Sequence, residues 1–96
     1  MQIKWLEKAL LNLDEEATYI ATENPQMAQI VVQRIYDAVL LLRANPALGV
    51  PGRVNGTREL LVPGTRYLIP YRVQARLQEI QILALFHTSR KPPKRW

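Results

Sequence analysis

The chain has 96 residues, no cysteine, one histidine, and thirteen lysines and arginines against eight acids, for a net charge of +5. That is enough for one domain with a modest core, and it leaves out disulfides, thiolate metal sites and a zinc site of ordinary composition. Lys4 and Glu7 interrupt the early apolar residues as no signal peptide would, and no apolar run nears the roughly 18 residues of a bilayer span, so a cytoplasmic protein is expected.

The charge is polarised. Residues 1–45 carry four cations against six acids, and residues 46–96 carry nine against two. A basic half attracts nucleic acid, ribosomes or acidic proteins.

In chain order, Ile3 and Trp5 alternate with polar neighbours and predict a short strand over Gln2–Trp5. Leu6, Leu10, Leu13, Ala17 and Ile20 then recur at helical spacing, with Asp14, Glu15 and Glu16 off the stripe. This predicts an amphipathic helix ending near Thr22. Asn24-Pro25 opens a second helix, since asparagine caps well and proline fits the first helical position. Its stripe is Met27, Val31, Ile35, Ala38 and Leu42, broadened by Ala28, Val32 and Val39. Asn45-Pro46 ends it, and the two helices form a hairpin.

Residues 48–55 read as a glycine- and proline-rich loop. Three strands follow, at about 57–62, 66–73 and 78–86, with Pro63-Gly64 as the first turn and residues 74–77 as a hairpin connection. Tyr67, Ile69, Tyr71 and Val73 share one face of the middle strand; Arg66, Leu68, Pro70 and Arg72 share the other. Pro70 inside a strand requires a bulge or an edge there. In the last strand Ile80, Ile82, Ala84 and Phe86 form one face, and Glu79, Gln81, Leu83, Leu85 and His87 the other. The expected architecture is α+β, ordered β-α-α-β-β-β: an antiparallel sheet with a helical hairpin packed on one face. Residues 1–90 form the single domain, and residues 91–96 (Lys-Pro-Pro-Lys-Arg-Trp) read as a mobile basic tail.

With Tyr67, Ile69 and Tyr71 in the core, Arg66 and Arg72 point to the open side of the sheet. His87, sharing a face with Gln81, reaches the same side, and Arg58 is a further candidate. Guanidinium groups around an imidazole are the parts needed to cleave RNA by attack of its own 2′-hydroxyl: a base, cations for the charged phosphorane, and an acid for the leaving oxygen. His87 is the sole side chain that titrates near neutral pH unaided. The plainer reading is a histidine that hydrogen-bonds or packs at a strand end, and tyrosines that are core residues with polar tips. Nothing in the sequence calls for a metal or a cofactor.

Several motifs stand in a familiar order: Asn24-Pro25, Asn45-Pro46-x-x-Gly49, Gly56-Thr57-Arg58-Glu59-Leu60, Tyr67-Leu68-Ile69-Pro70-Tyr71-Arg72-Val73, and Ile82-Leu83-Ala84-Leu85-x-His87-x-x-Arg90. Together they resemble the RelE/ParE toxin superfamily over nearly the whole chain. The resemblance implies the toxin half of a type II toxin–antitoxin pair, neutralised by a small, acidic, partly disordered antitoxin that wraps it with a helix and an extended segment. It also implies one of two targets. RelE-like members enter the ribosomal A site and cut messenger RNA; ParE-like members block DNA gyrase. Ribonuclease members tend to carry an arginine three residues before the third-strand tyrosine, where Leu68 stands here before Tyr71. They also tend to carry a lysine-rich stretch ahead of that strand, which is missing. The H-x-x-R ending is similar to many ParE-like chains, so the resemblance favours gyrase inhibition. The alternative is a ribosome-dependent endoribonuclease using His87, Arg66, Arg72 and Arg90. In either case the expected target-binding set is Arg58, Arg66, Arg72, His87, Arg90, Lys91, Lys94 and Arg95.

Overall fold

Asn24 starts the second helix as its side chain predicts. Its Oδ1 accepts a hydrogen bond from the Met27 amide at 3.0 Å, and Pro25 occupies the first helical turn. In the computed structural model, which describes residues 1–89, this helix is α2 (Pro25–Leu41), preceded by β1 (Gln2–Trp5) and α1 (Glu7–Ala21). Five further strands follow: β2 (Val50–Pro51), β3 (Arg58–Leu61), β4 (Tyr67–Gln74), β5 (Glu79–Ile82) and β6 (Phe86–His87). A short 3-10 turn, Ala75–Leu77, joins β4 to β5.

The sheet runs β1-β5-β4-β3-β2, with β6 also beside β4. It is antiparallel except at one edge, where β1 lies parallel to β5. A parallel neighbour needs a long crossover, and the helical hairpin begins that connection. The helices cover one face: Leu13, Ile35, Val39 and Leu42 meet Leu60, Ile69, Tyr71, Ile80 and Ile82 in one buried cluster. Among the described residues no helix is long and apolar enough to cross a membrane.

Three sequence readings change. The buried face of α1 is Ala9, Leu13 and Glu16, whereas Leu10 is 46% exposed; the stripe is rotated because a carboxylate occupies one of its inward positions. Met27 likewise leaves the α2 stripe, and Ala28 takes the inward place. The 48–55 loop contains a strand, β2, which forms a hairpin with β3. Its turn closes through the Thr57 amide donating to the Val54 carbonyl at 3.1 Å, with Gly56 at φ 80.

The last predicted strand, 78–86, is also two strands rather than one. β5 pairs β4 through Tyr71↔Ile82, but β6 pairs it through Tyr67↔His87. Between those pairs the last strand advances five residues while β4 advances four, so one extra residue is held in a bulge across Pro70. Proline has no amide hydrogen to give the ladder; its carbonyl still accepts from the Leu83 amide at 2.9 Å. Pro70 therefore sits at a bulge, as its chemistry requires.

Candidate target-binding face

A one-residue shift in a ladder sends every following side chain to the opposite face. Past the bulge, Phe86 joins the side away from the helices, beside Leu68, and His87 goes to the helix side, beside Tyr67. The expectation that His87 lies with Gln81, Arg66 and Arg72 is thus corrected: the bulge separates the imidazole from Arg72.

On the helix side, the edge of the His87 ring meets Tyr67, with ring centroids 5.2 Å apart and planes at 89°. The Tyr67 hydroxyl donates to Glu16 Oε1 at 3.0 Å, which explains why α1 turns a carboxylate inward. The Ser89 amide donates to His87 Nδ1 at 3.2 Å, and Ser89 Oγ lies 2.6 Å from the same nitrogen. An amide N–H can only donate, so Nδ1 keeps its lone pair and the neutral ring carries its proton on Nε2. Glu16→Ala is expected to lower stability by about 1–3 kcal/mol by removing a buried acceptor. Glu16→Gln, which keeps an acceptor oxygen, is expected to cost under about 1 kcal/mol; urea melts of the two variants check the difference.

Arg58 also faces the helix side, since it pairs with Tyr71 across the ladder. Its Nη1 donates to the Gly49 carbonyl at 2.6 Å, fixing the loop after α2. Beside it, the Tyr71 hydroxyl donates to the Pro46 carbonyl at 2.6 Å and accepts from the Gly49 amide at 2.9 Å. Burial raises the Tyr71 pKa above its ordinary value, partly offset by the Gly49 amide and the Arg58 guanidinium, both of which favour the phenolate. Arg58 therefore acts within the fold, on the opposite face of the sheet from Arg72.

The outer face keeps Arg66 and Arg72, both exposed. Arg72 Nε and Nη2 donate to Gln81 Oε1 at 3.2 and 2.8 Å, and Gln81 Nε2 donates to Glu79 Oε1 at 2.8 Å, so the guanidinium is oriented by its cross-strand neighbour. Lys4 stands in register with Gln81 and extends the cationic row onto β1.

Part of this face is filled. Glu59 and Pro70, cross-strand partners, are both buried. Arg53, from the turn between β2 and β3, reaches Glu59 with its amide at 2.9 Å, Nε at 3.1 Å and Nη2 at 3.4 Å. Its guanidinium carbon lies 5.7 Å from the Phe86 ring centroid. The sequence reading missed Arg53. The signal was the Asn55-Gly56 turn, which folds position 53 back over position 59. Arg90, Lys91, Lys94 and Arg95 of the expected set, and the 91–96 tail, lie outside the described residues.

The family described as "ParE toxin of type II toxin-antitoxin system, parDE" matches residues 3–92 of this chain. The chain belongs to the ParE toxin family. This family member is 40% identical over 93 residues to the "Putative toxin Y4kP" of Sinorhizobium fredii (strain NBRC 101917 / NGR234), which covers 97% of this chain and 94% of that one. Its fold matches a chain of the "Chromosomal ParDE TA system from P. aeruginosa" with a TM-score of 0.81 at 33% identity, over 91% of this chain and 95% of that one. It also matches a chain of the toxin–antitoxin complex RelBE2 from Mycobacterium tuberculosis, with a TM-score of 0.60 at 23% identity, over 90% and 95% of the two chains. That second likeness is one of fold. Over its described residues this ParE family member has two α-helices and a six-stranded sheet, an α+β fold that matches that of its solved relative.

Proposed function

We propose that this ParE-family toxin acts in the cytoplasm by inhibiting DNA gyrase and is neutralised by a cognate antitoxin. Beyond the family match, one observation carries the choice of target: the bulge at Pro70 places His87 against Tyr67 on the helix side, while Arg66 and Arg72 stay on the outer face. A base and the cations meant to stabilise a phosphorane have to converge on one phosphate. A face of exposed cations without that base suits binding to an acidic macromolecular surface. Arg66 and Arg72 are its proposed centre, and the sequence cations Arg90, Lys91, Lys94 and Arg95 are proposed to add to the same contact.

The experiment is a supercoiling assay with purified gyrase and an excess of this chain. The expected result is inhibition that weakens as salt rises, because exposed charges are screened over about 10 Å at 0.1 M. Full supercoiling activity at saturating toxin, together with A-site cuts in messages from arrested cells, would replace this reading with the ribonuclease one.

A further inference from the structure

We propose that the closed end of the helical hairpin is the docking place of this chain's own basic segment, residues 90–96. No lysine or arginine occurs between Lys8 and Arg34, while Asp14, Glu15, Glu16 and Glu23 all fall in that stretch. Arg90, Lys91, Lys94 and Arg95 set four cations against those four acids, with no acid among them. The last turn of α1 holds no basic residue, and Glu23 follows directly on its C-cap, Thr22. A helix C-terminus is the negative end of the dipole, so a carboxylate there is unfavourable and a cation is stabilising.

The described chain ends on a course toward that place. The Leu85 amide donates to Asn12 Oδ1 at 3.2 Å. Two residues on, His87 packs on Tyr67, whose hydroxyl reaches Glu16, one helical turn beyond Asn12. The Thr88 amide donates to the Arg66 carbonyl at 2.7 Å and the Ser89 amide to His87 Nδ1 at 3.2 Å, so the exit at position 89 is fixed beside the middle of α1. Tyr19 lies three residues after Glu16, on the same side of α1, and is 68% exposed. Its ring offers passing cations a π face. From Glu16 to Glu23 the hairpin advances about 10 Å. Residues 90–96, extended as the Pro92-Pro93 pair favours, span about 20 Å, enough to pass Glu23.

The cations of neighbouring elements are placed elsewhere. Arg34 Nη1 donates to the Gly64 carbonyl at 3.1 Å, and Arg66 belongs to the outer face of the sheet. Among the described residues neither Glu15 nor Glu23 is in an ion pair. A single exposed pair with a free cation would contribute little. A tethered partner differs, because it acts at an effective concentration on the order of millimolar and several weak contacts then hold together. The inference stands apart from the choice of target but bears on its use. Cations held on α1 have to leave it before they add to the target contact proposed above, so the dock restrains that contact.

The test uses the full chain carrying Trp5→Phe, which leaves Trp96 as the single tryptophan. The fluorescence anisotropy of Trp96 is expected to lie well above that of a free peptide of residues 90–96. A further variant adds Glu15→Gln, Tyr19→Ala and Glu23→Gln, all at exposed positions. Glutamine and alanine are good helix formers, so its far-ultraviolet dichroism should match the parent's. In this variant the anisotropy is expected to fall to the free-peptide value. Tryptic cleavage after Arg90, read by mass spectrometry, is expected to speed up at least about tenfold, since cleavage follows the population of the undocked form. Free-peptide anisotropy in the parent, or a folded variant cut at the parent's rate, would overturn the inference. Anisotropy that rises with protein concentration, together with a dimer in sedimentation, would overturn it in favour of a second copy's segment. Gyrase enters none of these readings, so their outcome is separate from that of the supercoiling assay.

Discussion

Tyr71→Ala is expected to cost about 3–5 kcal/mol from the lost ring alone, enough to unfold much of a domain of ordinary stability. Tyr71 is fully buried, and its hydroxyl ties Pro46 and Gly49 to the sheet. Tyr71→Phe separates the two roles: it keeps the ring and leaves two backbone groups without the phenol, for about 1–3 kcal/mol. The same tie explains Gly49. A Cβ at that position would come within 2.7 Å of both the Glu59 carbonyl oxygen and Tyr71 Cε1, so the loop can approach the sheet only as glycine. Urea denaturation of the three proteins measures these differences.

The pH dependence of this gap has a definite sign. Burial raises the folded pKa of Tyr71 above the 10.0 of an exposed phenol. Between 10 and the folded value, the unfolded chain has lost a proton that the native chain keeps, so stability falls as pH rises. Below 10 the phenol is neutral in both states and its contribution is fully present. Tyr71→Phe lacks this alkaline loss, so the stability difference between wild type and variant is expected to narrow above pH 10. A gap that stays constant to high pH would show that the phenol is not desolvated in the native state.

Much of the architecture was legible because periodicity and turn chemistry agree locally. Asn24-Pro25 caps α2, and Pro63-Gly64 makes a turn with the Thr65 amide donating to the Val62 carbonyl and Gly64 at φ 75. Tyr67, Ile69 and Tyr71 are buried on one face of β4 as alternation requires. The candidate site was less legible, because face assignments depend on register. Strict alternation from Ile80 to His87 hides one extra residue, and that residue decides where His87 points. Pro70 announced a bulge but not which strand would absorb it. Glu16 escaped because an acid on an inward stripe looks like an interruption unless its partner, 51 positions away at Tyr67, is known. β2 escaped because two residues are too short to show alternation.

The proposed target face leads to the sharpest effect on activity. Reversing both outer cations, in an Arg66→Glu and Arg72→Glu double variant, is expected to reduce gyrase inhibition by about thirtyfold or more, since like charges set against an acidic surface cost several kcal/mol. Both positions are exposed, so the fold should hold, with stability changed by about 0.5 kcal/mol or less per site. Gln81→Leu is the finer probe. It leaves the Arg72 charge in place but removes the oxygen that both guanidinium nitrogens use, so the side chain must be ordered anew on binding. A loss of a few-fold is expected, of the order of 0.5–1.5 kcal/mol for one immobilised long side chain. His87→Ala is expected to leave inhibition within about twofold, because the ring packs on Tyr67 on the other side of the sheet. The opposite pattern, with inhibition kept by the double reversal and lost with His87, would mean that the outer face is not where the target is met.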